Sequence, residues 1–150
     1  MLQLYGLQLI SNRIYISRRV AGNMVKKKKI TSMIDYFNPK YLAVVRRCNI
    51  LYKKAKGQYR KKEWGEAISK YEEFLKLNTA DFASFMEIAV SYCAIGKERE
   101  AIYYLKSAKK LKKGPALLDF IETAENAQVL KPEDIRFLKK NIKEIIKAVK

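Results

Sequence analysis

The chain has no histidine, only two cysteines, three prolines and six glycines among its 150 residues. Each shortage excludes something. Without histidine, the side chain that most often acts as a general base near neutral pH, and the commonest metal ligand, is gone. Cys48 and Cys93 stand far apart with no Cys-x-x-Cys spacing. That usage fits neither a disulfide-dense secreted scaffold nor a cysteine metal site, so a reducing, cytoplasmic setting is expected. Both cysteines fall in segments of helical periodicity, where a small buried thiol is the usual explanation. No run of about 18 uninterrupted apolar residues occurs, so no transmembrane helix is expected. Gly57 and Gly65 are isolated within helical segments, which leaves no glycine-rich phosphate loop. The paired acids Glu72-Glu73 and Glu133-Asp134 fall on surface turns of helices, and Glu66, Lys70 and Glu73 have the spacing of exposed ion pairs. No residue set has the pattern of a catalytic centre. The chain reads as a non-enzyme with no cofactor, no metal and no small-molecule substrate.

Acidic residues are also scarce, and unevenly so. Residues 1–50 hold 10 basic and 1 acidic, residues 51–100 hold 10 and 8, and residues 101–150 hold 12 and 6, for a net charge of +17. A field of this sign attracts nucleic acid, anionic lipid or acidic protein surfaces. The alternative is that lysine is simply the default polar residue of solvated helix faces. The run Lys26, Lys27, Lys28, Lys29 poses the same choice on a small scale: a solvated linker, or an electrostatic tether to a polyanion.

What is present is helical periodicity. Residues 1–37 form an N-terminal extension of different character, partly irregular. Within it LQLYGLQL and RIYIS alternate like strands, and a docked hairpin, a disordered segment and a start of the chain at Met24 all remain open. Met33, Ile34, Tyr36 and Phe37 would suit the open end of a helical stack. Residues 38–150 read as a helical domain. Asn38-Pro39 is a helix start, and the stripe Tyr41, Leu42, Val45, Cys48, Leu51, Tyr52, Ala55, Tyr59 predicts one long helix to about Lys61. Trp64 to Leu77, Phe82 to Ile95 with Asp81 as N-cap, and Arg99 to Lys112 are predicted next, with Gly96 ending the third helix. Pro115 opens a fifth helix and Pro132 a sixth. The stripe Ile135, Leu138, Ile142, Ile145, Ile146, Val149 makes this last helix an amphipathic cap.

Ala67-Ile68 in WGEAISKYEEFLKL recurs as Ala101-Ile102 in EREAIYYLKSAKKL. Self-similarity at such a period, about 34 residues, marks a stacked array of helical hairpins. The pattern resembles the tetratricopeptide repeat. Ala89, Tyr92, Gly96, Ala101 and Ala108 fit its consensus in the second unit, and Ala55, Trp64, Ala67, Tyr71 and Leu77 fit it in the first. The first unit departs at Gln58, Lys62 and Phe74, where the family prefers an aromatic, a glycine and a small residue, and Thr79 replaces the closing proline. Residues 115–148 keep the phase with little of the consensus.

The resemblance implies an all-α, antiparallel helix-hairpin solenoid with an extended N-terminal helix and the amphipathic C-terminal cap. It also implies a concave groove that binds a partner's extended segment or helix, acidic or apolar in character. Carried over, the groove positions are Tyr52, Lys56, Tyr59 and Arg60, then Met86, Val90 and Cys93, then Phe120 and Ala124. Tyr52, Tyr59 and Phe120 are the aromatic anchors. Packing of these residues as core beneath the capping helices is the alternative. Tyr52 and Lys56 stand where the family's chaperone-tail binders carry Lys and Asn, so a carboxylate clamp for such tails is not expected. The function implied is a non-catalytic adaptor or scaffold. Peripheral electrostatic binding to nucleic acid or anionic membrane is an alternative, as is service as an accessory module of a larger biosynthetic or secretion complex. Self-association would cover the same open surfaces.

Overall fold

The computed structural model describes residues 39–148, which hold six α-helices and no strand. The Lys26–Lys29 run, the N-terminal alternation, Asn38 and Val149 lie outside the described residues. The helices are α1 (Pro39–Arg60), α2 (Trp64–Leu77), α3 (Phe82–Ala94), α4 (Glu98–Lys109), α5 (Gly114–Asn126) and α6 (Pro132–Lys147). α1 has 22 residues against 13 in α3 and in α5, so the expected long first helix is present.

Local chemistry accounts for most of the boundaries. The Asp81 carboxylate accepts from the Ser84 N–H at 3.0 Å and from the Ser84 hydroxyl at 2.6 Å, capping α3. Pro115 and Pro132 occupy the first turns of α5 and α6, where a missing N–H costs nothing. Glu133 and Asp134 complement the α6 dipole.

The turns after α1, α3 and α5 are built alike. Lys62 N–H donates to the Tyr59 carbonyl at 3.0 Å and Glu63 N–H to Gln58 at 3.0 Å. Gly96 and Lys97 repeat this with Cys93 and Tyr92 at 3.0 and 2.9 Å, and Gln128 and Val129 with Glu125 and Ala124 at 2.9 and 3.0 Å. This paired 5→2 and 6→1 bonding is the Schellman motif, which needs a left-handed residue at its centre. Lys62 (φ 61°), Gly96 (φ 76°) and Gln128 (φ 52°) supply it and are the positive-φ residues among those described. Such a turn folds each helix back on its successor. α1 packs with α2, α3 with α4, and α5 with α6 as three hairpins. The second helices begin at Trp64, Glu98 and Pro132, which are evenly spaced and at the same interval as Ala67 and Ala101.

The core runs through all three hairpins. Ala55, Ala67, Ile68, Tyr71 and Ile88 join α1, α2 and α3. Met86, Val90 and Cys93 of α3 share a second cluster with Leu105 of α4, Leu117 of α5 and Ile135, Leu138 and Ile142 of α6. Each fully buried branched side chain contributes about 1.5–3 kcal/mol of transfer free energy, so the apolar face of α6 is a major part of what holds the end of the chain. α6 does more than shield its own hairpin partner, since it packs on both α3 and α4. The Cys93 Sγ reaches the Asp134 carbonyl at 3.8 Å, and Gly114 lies directly against the Ile146 side chain. The start of α6 therefore meets the end of α3, and its end meets the start of α5.

Candidate functional site

Four of the expected groove residues come from α1. Tyr52, Lys56 and Tyr59 are half-buried and Arg60 is exposed. The Tyr52 ring packs on Phe74 (5.3 Å between centroids) and edge-on to Tyr71 (6.2 Å), while Tyr59 lies edge-on to Trp64 at 5.6 Å. Both anchors thus lean on α2 and present only part of each ring to solvent.

Beneath them is a residue outside the groove positions expected from the sequence. Glu87 of α3 has a side chain only 3% exposed, and its two oxygens accept from the Lys56 ammonium of α1 and the Tyr71 hydroxyl of α2. One carboxylate therefore ties three helices together. Burial raises the Glu87 carboxyl above its ordinary range, and the Lys56 hydrogen bond and the charges of Lys56 and Arg60 only partly oppose this. The effect spreads to the tyrosines. Tyr52 is pushed up to about 12, first by burial and then by the charge of Glu87. Burial, followed by the same charge, carries Tyr59 above the ordinary phenol range. Glu87 had a legible signal, since it is the one charged residue in FASFMEIAVSYCA. A lone carboxylate on an otherwise uncharged helix has to find partners if it is buried.

A second network sits between α2, α3 and α4. The Tyr92 and Tyr104 hydroxyls both donate to Oε1 of Glu72, at 3.0 and 2.9 Å, and their rings stack at 5.6 Å. Tyr92 is pushed up to about 12 by burial and by its bond to Glu72. This arrangement is structural: two phenols and a carboxylate satisfy one another where the helices meet.

The remaining expected groove residues are corrected by the packing. Met86 and Val90 are fully buried, Cys93 is 4% exposed and Ala124 6%. None of them lines an open surface: Met86, Val90 and Cys93 belong to one core cluster with residues of α4, α5 and α6. Phe120 is half-buried, edge-on to Phe82 at 6.3 Å. The nine positions therefore do not form one continuous site. The accessible part is the α1 segment Tyr52–Arg60 above Glu87. Among the described residues no three Cys, Asp or Glu side chains gather as a metal-ligand set, and no helix is long and apolar enough to cross a membrane.

Comparison with protein-family models, with curated proteins and with solved structures finds no match to this chain. The reading of its function rests on its own residues.

Proposed function

We propose that this protein is a non-catalytic interaction adaptor built as a tetratricopeptide-like stack of helical hairpins. The observation that carries the reading is the recurrence of one Schellman turn after α1, α3 and α5, together with the even spacing of the second helices at Trp64, Glu98 and Pro132. A chain that repeats one hairpin makes an extended surface, and its chemistry is that of a scaffold. The partner segment is acidic with apolar side chains. It lies along α1, where Arg60 supplies cationic charge beside the partly open rings of Tyr52 and Tyr59.

The test is affinity capture from native lysate at two salt concentrations, with nuclease present, using the full chain and an Arg60→Glu variant. Arg60 is exposed, so the fold is retained. Discrete proteins that survive high salt and are lost with the variant support the reading. Capture that is unaffected by the variant, or the absence of any discrete protein, overturns it.

A further inference from the structure

One surface of the molecule is neither core nor part of the α1 segment. Along α4 and its C-cap the exposed residues Arg99, Tyr103, Lys106 and Lys110 follow one another at steps of four, three and four. At 3.6 residues per turn they fall within a sector about 60° wide, and the stripe is about 16 Å long. The buried residues Ala101, Leu105 and Ala108 occupy the opposite side of the helix, so the stripe points to solvent.

Tyr103 is the unusual member. It is 65% exposed, the most exposed large side chain of its kind among the described residues. Its ring stands edge-on to Tyr104 (5.2 Å, 88°), which steadies it without covering its face. Arg99, Lys106 and Lys110 make no ion pair among the described residues, where the acid–base pairs are Lys56–Glu87, Lys70–Glu73 and Lys139–Glu125. Glu98 and Glu100 flank Arg99 at the start of the stripe and are the two acids of α4.

α6 carries the same pattern. Its exposed residues Arg136, Lys140, Lys143 and Lys147 repeat the steps of four, three and four, with Glu144 on the flank. Because α6 starts where α3 ends and finishes where α5 starts, it runs in the same direction as α4, against which it packs. The two packed, parallel helices therefore each carry a basic stripe facing solvent, one of them holding an open aromatic ring.

We propose that the outer face of α4 and α6 binds single-stranded nucleic acid. The cationic side chains track the phosphates, and Tyr103 stacks on a base. Unpaired lysines and arginines flanking an exposed ring are the combination that such recognition needs, since the charges bind any backbone and the ring accepts any base. A lipid surface would also take a tyrosine ring at its headgroup level, but peripheral membrane binding buries an apolar face, and neither stripe holds an apolar residue besides Tyr103.

The experiment uses the full chain and a labelled single-stranded RNA of mixed sequence, about 20 nucleotides long, read by fluorescence anisotropy. Binding is expected at low salt, with affinity falling steeply between roughly 50 and 200 mM. Tyr103→Ala is expected to weaken binding about tenfold, the effect of losing one base–aromatic stack. Lys106→Glu/Lys110→Glu is expected to weaken it more than Lys53→Glu/Lys54→Glu, an equal charge change at exposed positions of α1. Circular dichroism of each variant checks the fold. The proposal is overturned by any of four results: no binding at low salt, an unchanged affinity in Tyr103→Ala, equal losses in the two double variants, or tighter binding to phosphatidylserine vesicles than to the oligonucleotide.

Discussion

Lys62 and Gly96 hold the same place in successive copies of one turn, each left-handed at the centre of a Schellman motif. Only glycine adopts that conformation without steric cost, because a Cβ crowds the neighbouring carbonyl. Lys62→Gly is therefore expected to stabilise the chain by about 0.5–1 kcal/mol, despite the greater freedom glycine has in the unfolded state. Gly96→Ala is expected to cost about 1 kcal/mol. Packing against the rest of the molecule is not the reason, since beyond its own chain neighbours a Cβ at Gly96 would meet no atom within 4 Å. Urea unfolding of the two variants, with opposite shifts in midpoint, checks the pair.

Glu87 makes stability depend on pH in an unusual direction. Its folded value lies above the ordinary 4.5 because burial disfavours the charged form. Between those two values the folded chain holds a proton that the unfolded chain has released, so the stabilising contribution is full below the unfolded value and is lost as pH rises through the folded one. Glu87→Gln removes this titration. The stability of the variant relative to the parent is expected to improve as pH rises across that window, as read by urea unfolding at a series of pH values. Glu87→Ala leaves the Tyr71 hydroxyl without its acceptor and is expected to cost about 2–3 kcal/mol.

Gly114 fixes how closely α5 approaches the end of α6. An added Cβ would overlap the γ1 and δ1 carbons of Ile146. Gly114→Ala is expected to lower stability by about 1–3 kcal/mol through overpacking. Gly114→Ala/Ile146→Ala is expected to cost less than the sum of the two single changes, since the smaller side chain makes room for the methyl group. Thermal unfolding of the four chains completes the cycle.

The thiols are expected to be inert in the folded protein. Burial, aided by Asp134 and Glu98, pushes Cys93 up to about 12, and burial also raises Cys48. The reactive thiolate is correspondingly rare at about pH 8. A colorimetric thiol reagent is expected to titrate neither cysteine in the native chain within minutes and both in denaturant.

Helix boundaries were legible because their causes are local. Asp81, Gly96, Pro115 and Pro132 act on the backbone within one turn of themselves, and the α2 bounds Trp64–Leu77 agree with the sequence expectation. The apolar stripe of α6 was legible for the same reason, since period alone places Ile135, Leu138 and Ile142 on one face. Tyr71 is buried and Tyr52, Tyr59, Tyr92 and Tyr104 are half-buried, whereas Tyr103 stands open on the outer side of α4. Lys62 has a side chain where its turn favours glycine, yet its backbone takes the left-handed conformation, with Lys62 Nζ reaching the Gln128 carbonyl at 3.3 Å.

The sequence alone determined that residues 39–148 are helical, where most of the helices begin, and that one unit recurs at a fixed interval, although the fourth helix ends at Lys109 and not at the expected Lys112. These follow from the φ preferences of single residues and from the 3.6-residue period of the helix. Tertiary structure decided which faces stay open. α6 came to lie on α3 as well as α4, burying Met86, Val90 and Cys93, and Glu87 found its partners on two other helices. Those outcomes depend on contacts between residues far apart in the chain, as between Lys56 and Glu87 or Cys93 and Asp134, and periodicity within one helix carries no record of what will cover it.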